Sequence, residues 1–486
     1  MTESGEREAL GNLAAAAHER HVVVVGAGIA GLVAALECAK FGLRITLIEA
    51  SDRLGGTLAP IDVAGLRLDA AAEGWSTRGG SVRALAVDLG LESAIVPAAD
   101  TATWISGLRS GAAPLPSATI AGIPQNPWDE SVRSIIGWNG AWRAFVDRIR
   151  PPLTIGKERS LGRLVRTRMG DAVLDRLVAP VSLGIYGTHP DDVDVEAVAP
   201  GLSTALTRTG SLSGAVTDLL VDRSPGPALE TIDGGMLRLV QAAESRLVEL
   251  GADIRVEAPV ASLERLDDGR WAVGLGGADT PAVDPADHVI VATTEREARR
   301  LLAPVVPSLE AAVDSRETVE VATLVVRSSA LDSAPRGGAV YPVPGTSRAV
   351  GVTHSTARWP WLAAVAGPGV HVLRVVFGAA GAPAATAGLD DAAATALASE
   401  EASALLGVAF EGVVGSVRVR LEPAPPASEL GRAEAVDAVR DAIREVSGLS
   451  AVGGWLAGAG LAHVVPDAVE AADEARRQTL WGETAP

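Results

Sequence analysis

The first strong pattern of apolar residues lies near the N-terminus. Val22–Val25 form an unbroken β-branched run, which is typical of a strand buried on both faces. Leu32–Phe41 then has the pattern of a helix, and Leu43–Ile48 forms a second strand-like run. The pattern therefore predicts a strand, a helix and a second strand in succession, the βαβ unit of an α/β fold.

Apolar periodicity predicts further elements along the chain. A helix is predicted over Ser81–Gly90, and leucines and valines recur at helical spacing over Ser160–Pro180. A strand is predicted at His288–Thr294 and several alternating strands over Val321–Phe377. The alanine-rich stretch Ala379–Ala398 is expected to end in a surface helix.

Three glycines and one acidic residue flank the predicted N-terminal helix. Gly26, Gly28 and Gly31 give the spacing G-x-G-x-x-G after the first strand, and Glu49 follows the second strand. Gly26 permits a tight turn, Gly28 lets the backbone approach a pyrophosphate, and Gly31 allows close packing of helix on strand. Glu49 can accept hydrogen bonds from ribose hydroxyls, and its charge would repel a 2′-phosphate. The spacing therefore predicts a dinucleotide site at the helix N-terminus.

The residues after Glu49 indicate which dinucleotide is bound. The stretch EASDRLGGTL places Arg53, Gly55, Gly56 and Thr57 directly after the ribose acid. It resembles the second FAD signature of the flavin-containing amine oxidase superfamily, in which the arginine and the glycines meet the pyrophosphate. The resemblance implies FAD as the cofactor. It is expected to be non-covalent, because no cysteine near the C-terminus is available to tether it.

Two further stretches resemble the protoporphyrinogen and coproporphyrinogen oxidase family. Asp69, Ala71 and Glu73 match its Asp-x-Gly-x-Glu pattern beside the flavin, with alanine in place of the glycine, and a Leu-Gly-Leu sequence closes the following helix. Near the C-terminus, Gly458 and Gly460 match a small-residue loop that meets the flavin. Residues that depart from the family pattern there are Ala462, Val464 and Ala468. The resemblance extends over about residues 21–477.

The resemblance also implies which residues contact the cofactor. Val260 matches the residue that holds the adenine through backbone hydrogen bonds. The residues implied in FAD binding are Gly26, Ala27, Gly28, Ile29, Ala30, Gly31, Glu49, Ala50, Arg53, Gly55, Gly56, Thr57, Ala70, Ala71, Ala72, Glu73, Val260, Ala459, Gly460 and Leu461.

The predicted fold class is α/β, or α+β when the whole chain is considered, with three structural parts. A Rossmann-like FAD-binding domain is discontinuous and takes residues 18–100, 225–295 and 440–486. A mainly α-helical domain is predicted at 101–224, and an inserted mixed-sheet substrate-binding domain at 296–439.

Composition limits the classes of function. A chain of 486 residues exceeds one ordinary core, and a net charge of −18 argues against nucleic acid and anionic membrane as partners. Cys38 is the only cysteine, which excludes an intrachain disulfide and a multi-cysteine metal site, and the histidines show no metal-ligand spacing. We see neither a signal peptide nor a transmembrane run of about 18 apolar residues, and we expect a cytoplasmic protein.

The resemblance implies oxidation of a porphyrinogen at the flavin. A methylene bridge between pyrroles loses a hydride, a pyrrole N–H releases a proton, and O2 accepts the electrons to give H2O2. Coproporphyrinogen III has four carboxylates and is water-soluble, whereas protoporphyrinogen IX has two and partitions into membrane. A soluble acidic chain therefore favours conversion of coproporphyrinogen III to coproporphyrin III in haem biosynthesis, with handover to a downstream enzyme of that pathway.

A tetrapyrrole also needs an apolar slot and cations for its carboxylates. Arg78 is either a carboxylate clamp or a solvated arginine, and Arg374, on a predicted strand, needs a partner because the sheet is half-buried. No side chain is assigned to catalysis itself, which the flavin carries out. The candidate substrate-binding residues are Trp75, Arg78, Tyr186, His354 and Arg374.

Other functions remain open from the sequence. Protoporphyrinogen IX is an alternative substrate for the same chemistry, and a carotenoid desaturase shares the fold. An amine oxidase commonly uses a lysine near the flavin, but the only lysines are Lys40 and Lys157. A flavin- or porphyrin-binding protein without turnover is the alternative outside enzymes.

Overall fold

A computed structural model of the chain describes residues 17–149, 158–221, 228–277, 281–310 and 316–482. Lys157, the end of the predicted FAD-binding domain at 483–486 and the predicted boundary between residues 224 and 225 lie outside the described residues.

The strands of the described residues belong to several sheets. In chain order they are β1 (His21–Val25), β2 (Arg44–Ile48), β3 (Pro60–Val63), β4 (Leu66–Asp69), β5 (Trp75–Ser76), β6 (Ile95–Pro97), β7 (Thr103–Leu108), β8 (Gly111–Pro114), β9 (Thr119–Ile120), β10 (Ile123–Pro124), β11 (Leu229–Ile232), β12 (Asp253–Arg255), β13 (Val260–Arg265), β14 (Trp271–Leu275), β15 (His288–Val291), β16 (Val319–Arg327), β17 (Ala339–Pro342), β18 (Gly351–His354), β19 (Val370–Phe377), β20 (Gly412–Leu421) and β21 (Leu449–Ala451).

The helices cover the faces of these sheets. In chain order they are α1 (Ile29–Ala39), α2 (Ser81–Asp88), α3 (Glu130–Phe145), α4 (Leu161–Met169), α5 (Val195–Val198), α6 (Leu202–Thr209), α7 (Leu212–Val221), α8 (Leu237–Glu249), α9 (Glu295–Leu302), α10 (Ser355–Arg358), α11 (Pro360–Ala366), α12 (Asp391–Leu406), α13 (Arg432–Arg444), α14 (Gly454–Ala457) and α15 (Leu461–Trp481). Residues 171–186 form short helical turns, two of them π-turns at Leu174–Val178 and Ser182–Tyr186.

A parallel five-stranded sheet has the order β12-β2-β1-β15-β21. Val22 and Val24 of β1 pack on the side of α1, α8 and α15, whereas Val23 and Val25 pack on the side of β14 and α9. The sheet is therefore covered on both faces, which confirms the prediction made from the valine run. The predicted βαβ unit is also confirmed, with α1 beginning at Ile29, three residues earlier than expected.

A mixed seven-stranded sheet has the order β20-β16-β19-β18-β17-β7-β8. The helix α12 covers one of its faces, with Leu397 and Ala398 in the same apolar cluster as Leu373 and Val375 of β19. The helix expected at the end of residues 379–398 is present, because α12 begins at Asp391, and it continues to Leu406. One side of α12 packs on the sheet through small alanine and leucine side chains, and the other side is exposed.

The helical layer consists mainly of α3, α4, α6, α7 and residues 171–186, which share one core. The helical pattern over Ser160–Pro180 is interrupted at Gly170, where φ is +90°, so it does not form one helix. The strands β7 and β8 lie in the segment predicted to be mainly helical, yet they hydrogen-bond into the seven-stranded sheet beside β17. Within the described residues, no helix is long and apolar enough to span a bilayer.

Asp332, His371 and His354 form a hydrogen-bonded series in which the two imidazoles are buried in the seven-stranded sheet and the Asp332 carboxylate is exposed. Asp332 Oδ1 lies 3.1 Å from His371 Nε2, and His371 Nδ1 lies 3.1 Å from His354 Nε2. Because the carboxylate accepts, His371 Nε2 carries a proton and His354 Nε2 donates to His371. Burial lowers the pKa of both imidazoles, that of His354 to about 4, with the neighbouring His371 as its second cause.

Because His354 is buried, we expect the free energy of unfolding to depend on pH, and we expect His354→Gln to reduce that dependence. The unfolded chain takes up a proton on His354 near pH 6.5, whereas the folded protein does so near pH 4, so stability falls as the pH decreases from 7.5 to 5.5. Over that interval the wild-type free energy of unfolding should fall by about 1 kcal/mol more than that of the variant. Urea denaturation at several pH values measures both. His288, which lies on β15 of the five-stranded sheet, titrates in both proteins and cancels, so parallel pH profiles would contradict the prediction.

Candidate functional site

Close backbone contacts explain two glycines of the β1–α1 turn. Gly26 has φ +100°, and a Cβ there would lie 2.7 Å from the carbonyl oxygen of Ala292, which follows β15. A Cβ at Gly31 would overlap the carbonyl oxygen of Gly26. A side chain at either position would therefore push α1 away from the sheet.

Gly28 differs from these two because it faces open space. It is the N-cap of α1 with φ −66° and ψ 175°, and a Cβ there would meet no atom within 4 Å. No side chain caps the helix. The first-turn N–H groups, among them those of Ile29 and Ala30, therefore remain at this end with the positive end of the helix dipole. This geometry suits a phosphate group.

The second glycine pair lies directly against the first motif. Gly55 N donates to Ala27 O at 2.8 Å, and a Cβ at Gly56 would lie 3.2 Å from Gly28 Cα. The exposed residues on the outer side of this turn are Ala50, Arg53 and Thr57. Within the described part of the chain, the Arg53 guanidinium makes no hydrogen bond or ion pair, so it is available to an anion.

Glu49 ends β2 beside the glycine turn. Its Oε2 accepts from Ala27 N at 2.8 Å, and its Oε1 accepts from Ser51 N at 2.9 Å and Ser51 Oγ at 2.8 Å. Oε1 already accepts two hydrogen bonds, whereas Oε2 keeps a second lone pair that can accept from a ribose hydroxyl. The backbone thus orients this carboxylate before any nucleotide binds.

Val260 lies near the same strand end. Ala258 N donates to Glu49 O at 2.9 Å, which ties the segment before β13 to β2. The Val260 carbonyl accepts from Arg300 Nη2 at 2.8 Å, and Val260 pairs with Leu275 of β14. Its position beside Glu49 suits contact with the adenine end of a dinucleotide, and its carbonyl retains one lone pair for it.

Residues 69–74 form a loop between β4 and β5, here called the flavin loop. Asp69 Oδ1 accepts from Met236 N at 2.9 Å, next to the N-terminus of α8. Arg374 Nη2 donates to Ala70 O at 2.9 Å, and Arg374 Nη1 lies 3.7 Å from Glu73 Oε2. Burial raises the pKa of the Asp69 carboxyl to about 7, although the Met236 N–H opposes this. The remaining predicted residues of the loop, Ala71 and Ala72, are half-buried.

Small residues and backbone hydrogen bonds hold the C-terminal loop. A Cβ at Gly458 would lie 2.5 Å from Ala427 Cβ, and Ala459 N donates to Pro425 O at 3.0 Å. Gly460 is the N-cap of α15 without a side-chain cap. Because such contacts need few particular side chains, the departures from the family pattern after this loop are compatible with the same backbone path.

The helices α1 and α15 run in the same direction along each other. Cys38, near the end of α1, has its Sγ 3.9 Å from Ala472 O in the second half of α15. Leu461, the first residue of α15, is in the same apolar cluster as Ala27 and Ala30. The uncapped N-termini of both helices therefore lie at one end of the five-stranded sheet.

The face of the seven-stranded sheet opposite α12 lies beside the flavin loop. Arg374 is on this face, and its register partners are Thr323 on β16 and Thr353 on β18. Residues directly opposite each other on neighbouring strands share a face. Two residues along β19, Val376 shares this face with Gly351.

Tyr341 forms the far part of that face. Its ring lies over Gly351, where a Cβ would be 2.8 Å from Tyr341 Cδ1, and against Gly184 of the second π-turn. Tyr186 ends the same turn and is half-buried. The structure thus places Tyr341 on the same sheet face as Arg374, whereas Tyr186 packs against the core of the helical layer and stays a predicted substrate residue.

Two predicted substrate residues lie elsewhere. Trp75 is only 3% exposed and belongs to the core between α1 and α15, so its ring packs the cofactor side and does not line an open slot. His354 is in register with Leu373, which places it on the α12 face, and it is 1% exposed. His354 therefore lies on the other face of the sheet from Arg374. The sequence did not reveal this, because the face depends on the strand register.

Arg78 is exposed near the start of α15. Partial desolvation, and next the charge of Arg78, lower the pKa of His463 on the first turns of that helix. Arg78 therefore lies near the C-terminal loop, where a carboxylate could reach it. The partner that Arg374 was expected to need is the flavin loop, because its guanidinium contacts Ala70 O and lies near Glu73. Its role toward a substrate stays a prediction.

Sequence reasoning missed Tyr341 and Thr323 as residues of this wall. Both lie on strands that the alternation predicted, but alternation alone does not show which of the two faces a strand turns toward a site. The burial of Thr323 Oγ1 without a hydrogen-bond partner is visible only in the folded protein.

A family model for flavin-containing amine oxidoreductases matches residues 29–475. The chain is 30% identical over 476 residues to the coproporphyrinogen III oxidase of Mycobacterium tuberculosis, which covers 94% of this chain and 96% of that protein. It is 31% identical over 188 residues to the coproporphyrinogen III oxidase of Bacillus subtilis, covering 37% of this chain and 40% of that protein.

A solved structure shares the fold over nearly the whole chain. It is a crystal structure of a protein from Exiguobacterium sp. 255-15, provisionally named a protoporphyrinogen oxidase. It superposes with a TM-score of 0.80 at 23% identity and covers 96% of this chain and 99% of that chain. FAD fits three features of this site. They are the uncapped N-terminus of α1 at Gly28, here called the Gly28 cradle, the oriented Glu49 carboxylate, and Arg53, which is unpaired within the described residues. The chain therefore belongs to the flavin-containing amine oxidoreductase family, and it is an FAD-dependent oxidoreductase with a mixed α/β fold.

Proposed function

We propose that this protein oxidises coproporphyrinogen III to coproporphyrin III, with O2 as the electron acceptor and H2O2 as the product. The observation that carries the proposal is the relationship to a coproporphyrinogen III oxidase over 94% of this chain. The mainly apolar wall beside the flavin loop supports it, because a porphyrinogen macrocycle presents a broad apolar ring.

FAD, when bound, supplies the hydride acceptor for this oxidation. The residues of the chain bind the cofactor and the substrate and orient them. The uncapped N-terminus of α1 at Gly28 holds the pyrophosphate with Arg53, and Glu49 holds the ribose. The other residues implied in FAD binding act through backbone or small side chains along the same path.

The substrate side needs few side chains. Each oxidation removes a hydride from a methylene bridge. Two of the three oxidations also release a pyrrole N–H proton and the third releases a proton from the remaining methylene bridge, so three oxidations with three O2 give the porphyrin and three H2O2. The pyrroles stabilise the cation themselves, so no protein base is required for the first step. Tyr341, Tyr186 and Val376 exclude water from one side of the ring, and the exposed Arg78 meets a carboxylate.

The lysine positions bear on the amine oxidase alternative. Lys40 lies at the C-terminal end of α1 and pairs with Glu37 and Asp88, each at 2.6 Å. This is the end of the helix opposite the Gly28 cradle, so Lys40 is not placed to act beside a flavin. Cys38 is buried, and burial raises its pKa to about 12, so it is not a nucleophile for tethering FAD.

The three-part domain division of the chain, a cytoplasmic location and delivery of the product to a later enzyme of haem biosynthesis remain part of the proposal. The product keeps its carboxylates and lacks a metal, so the reaction that consumes it inserts iron or modifies the propionates.

Two glycine substitutions should separate cofactor binding from folding. Gly28→Ala fits the observed φ and ψ and meets no protein atom, so the apoprotein should keep its melting temperature while its FAD affinity falls at least about ten-fold. Gly31→Ala should instead destabilise the apoprotein by about 3 kcal/mol, because its Cβ overlaps Gly26 O. Thermal unfolding of apoprotein and fluorescence titration with FAD measure both. Equal FAD affinity in Gly28→Ala and the wild type would refute the cradle.

Anaerobic reduction tests the reaction. Coproporphyrinogen III should bleach the visible band of the bound flavin faster than protoporphyrinogen IX does, and admission of air should then yield porphyrin fluorescence and stoichiometric H2O2. Faster bleaching by protoporphyrinogen IX would overturn the substrate assignment. Bleaching by an aliphatic amine alone would indicate an amine oxidase, and a flavin that no substrate reduces would indicate a binding protein.

A further inference from the structure

The Arg374 side chain joins the two parts of the molecule between which the substrate would lie. It projects from β19 of the seven-stranded sheet, and its Nη2 donates to Ala70 O at 2.9 Å in the flavin loop. Its Nη1 lies 3.7 Å from Glu73 Oε2, with the side chains of the two residues 8% and 14% exposed. One guanidinium thus contacts both a carbonyl and a carboxylate of the same loop.

The neighbouring strands place no carboxylate directly beside Arg374. The residues in register with Arg374 on both neighbouring strands are Thr323 and Thr353, and both are uncharged. A buried guanidinium without a partner is strongly unfavourable, so its stable position depends on the loop.

The flavin loop in turn has few side chains that could position it. The first residue of the loop, Asp69, accepts a hydrogen bond from Met236 N, but the side chains of Ala70, Ala71 and Ala72 are only methyl groups. The path of these alanines is therefore set through backbone contacts, of which the bond from Arg374 to Ala70 O comes from the opposite sheet.

We propose that Arg374 is a positioning residue that fixes the flavin loop against the seven-stranded sheet, and that tight FAD binding depends on this clamp. The inference goes beyond the proposed function, because it concerns the cofactor and holds for any substrate. It also assigns Nη1 and Nη2 of the Arg374 guanidinium to the loop.

Arg374→Gln and Arg374→Lys test the clamp through FAD affinity, measured by titrating apoprotein without substrate. Arg374→Gln should raise the dissociation constant of FAD about ten-fold or more, because a charge-assisted hydrogen bond and an ion pair are lost together. The visible spectrum of the flavin bound to this variant should move toward that of free FAD. Arg374→Lys keeps the charge but cannot hold both partners, so it should recover part of the affinity.

Arg418→Gln is the matched control. Arg418 lies on β20 of the same sheet, its side chain is also 8% exposed, and it pairs with the buried Glu320 and bonds to the Thr386 and Leu389 carbonyls. It is in register with Ala322 and so lies on the α12 face, away from the loop. Its loss should lower the melting temperature but leave FAD affinity and the flavin spectrum unchanged.

Glu73→Gln completes the test and covers the case in which Arg374→Gln fails to fold. It should weaken FAD binding a few-fold, and the double variant should bind FAD no more weakly than Arg374→Gln alone, since both act through one contact. FAD affinity within two-fold of the wild type in Arg374→Gln, or in Glu73→Gln where the former does not fold, overturns the inference. Additive losses in the double variant do so as well. Because no substrate is present, none of these outcomes depends on the substrate assignment.

Discussion

The close approach of α1 to the five-stranded sheet is the constraint on which the rest of the structure depends. The Gly31 backbone lies against the Gly26 carbonyl, and Gly26 lies against the carbonyl of Ala292, which follows the neighbouring strand β15. With no room for a side chain at either contact, the helix N-terminus lies at the edge of the sheet. Glu49 and the second glycine pair meet it there, so the dinucleotide site follows from a packing requirement.

The cofactor site combines distant parts of the chain because the five-stranded sheet on which it is built also combines them. The strands β12, β15 and β21 join β1 and β2 from positions far along the sequence, and the seven-stranded sheet is formed largely by the chain between β15 and β21. The strands β7 and β8 enter that second sheet from the N-terminal half. The two sheets are thus linked through the path of the chain, and Arg374 adds a contact from the seven-stranded sheet to the flavin loop.

Few charged side chains lie on the sheet face beside the flavin loop. On the wall of the seven-stranded sheet that faces the flavin loop, the residues in register with Arg374 are the threonines Thr323 and Thr353. The two buried imidazoles, His371 and His354, lie on the opposite face of the sheet, toward α12. Such an arrangement suits a reaction in which cofactor and substrate contribute the chemistry and the protein contributes position and exclusion of water.

The sequence by itself determined the βαβ unit, the glycine turn with its acidic partner and, through family resemblance, the flavin. These features are local: each depends on residues within about 30 positions, where spacing translates directly into geometry. Tertiary structure alone decided the positions of Trp75, His354 and Arg374, because strand register and face set them. A one-residue change of register reverses the face of a side chain, and the partners of Arg374 lie some 300 residues away in the chain.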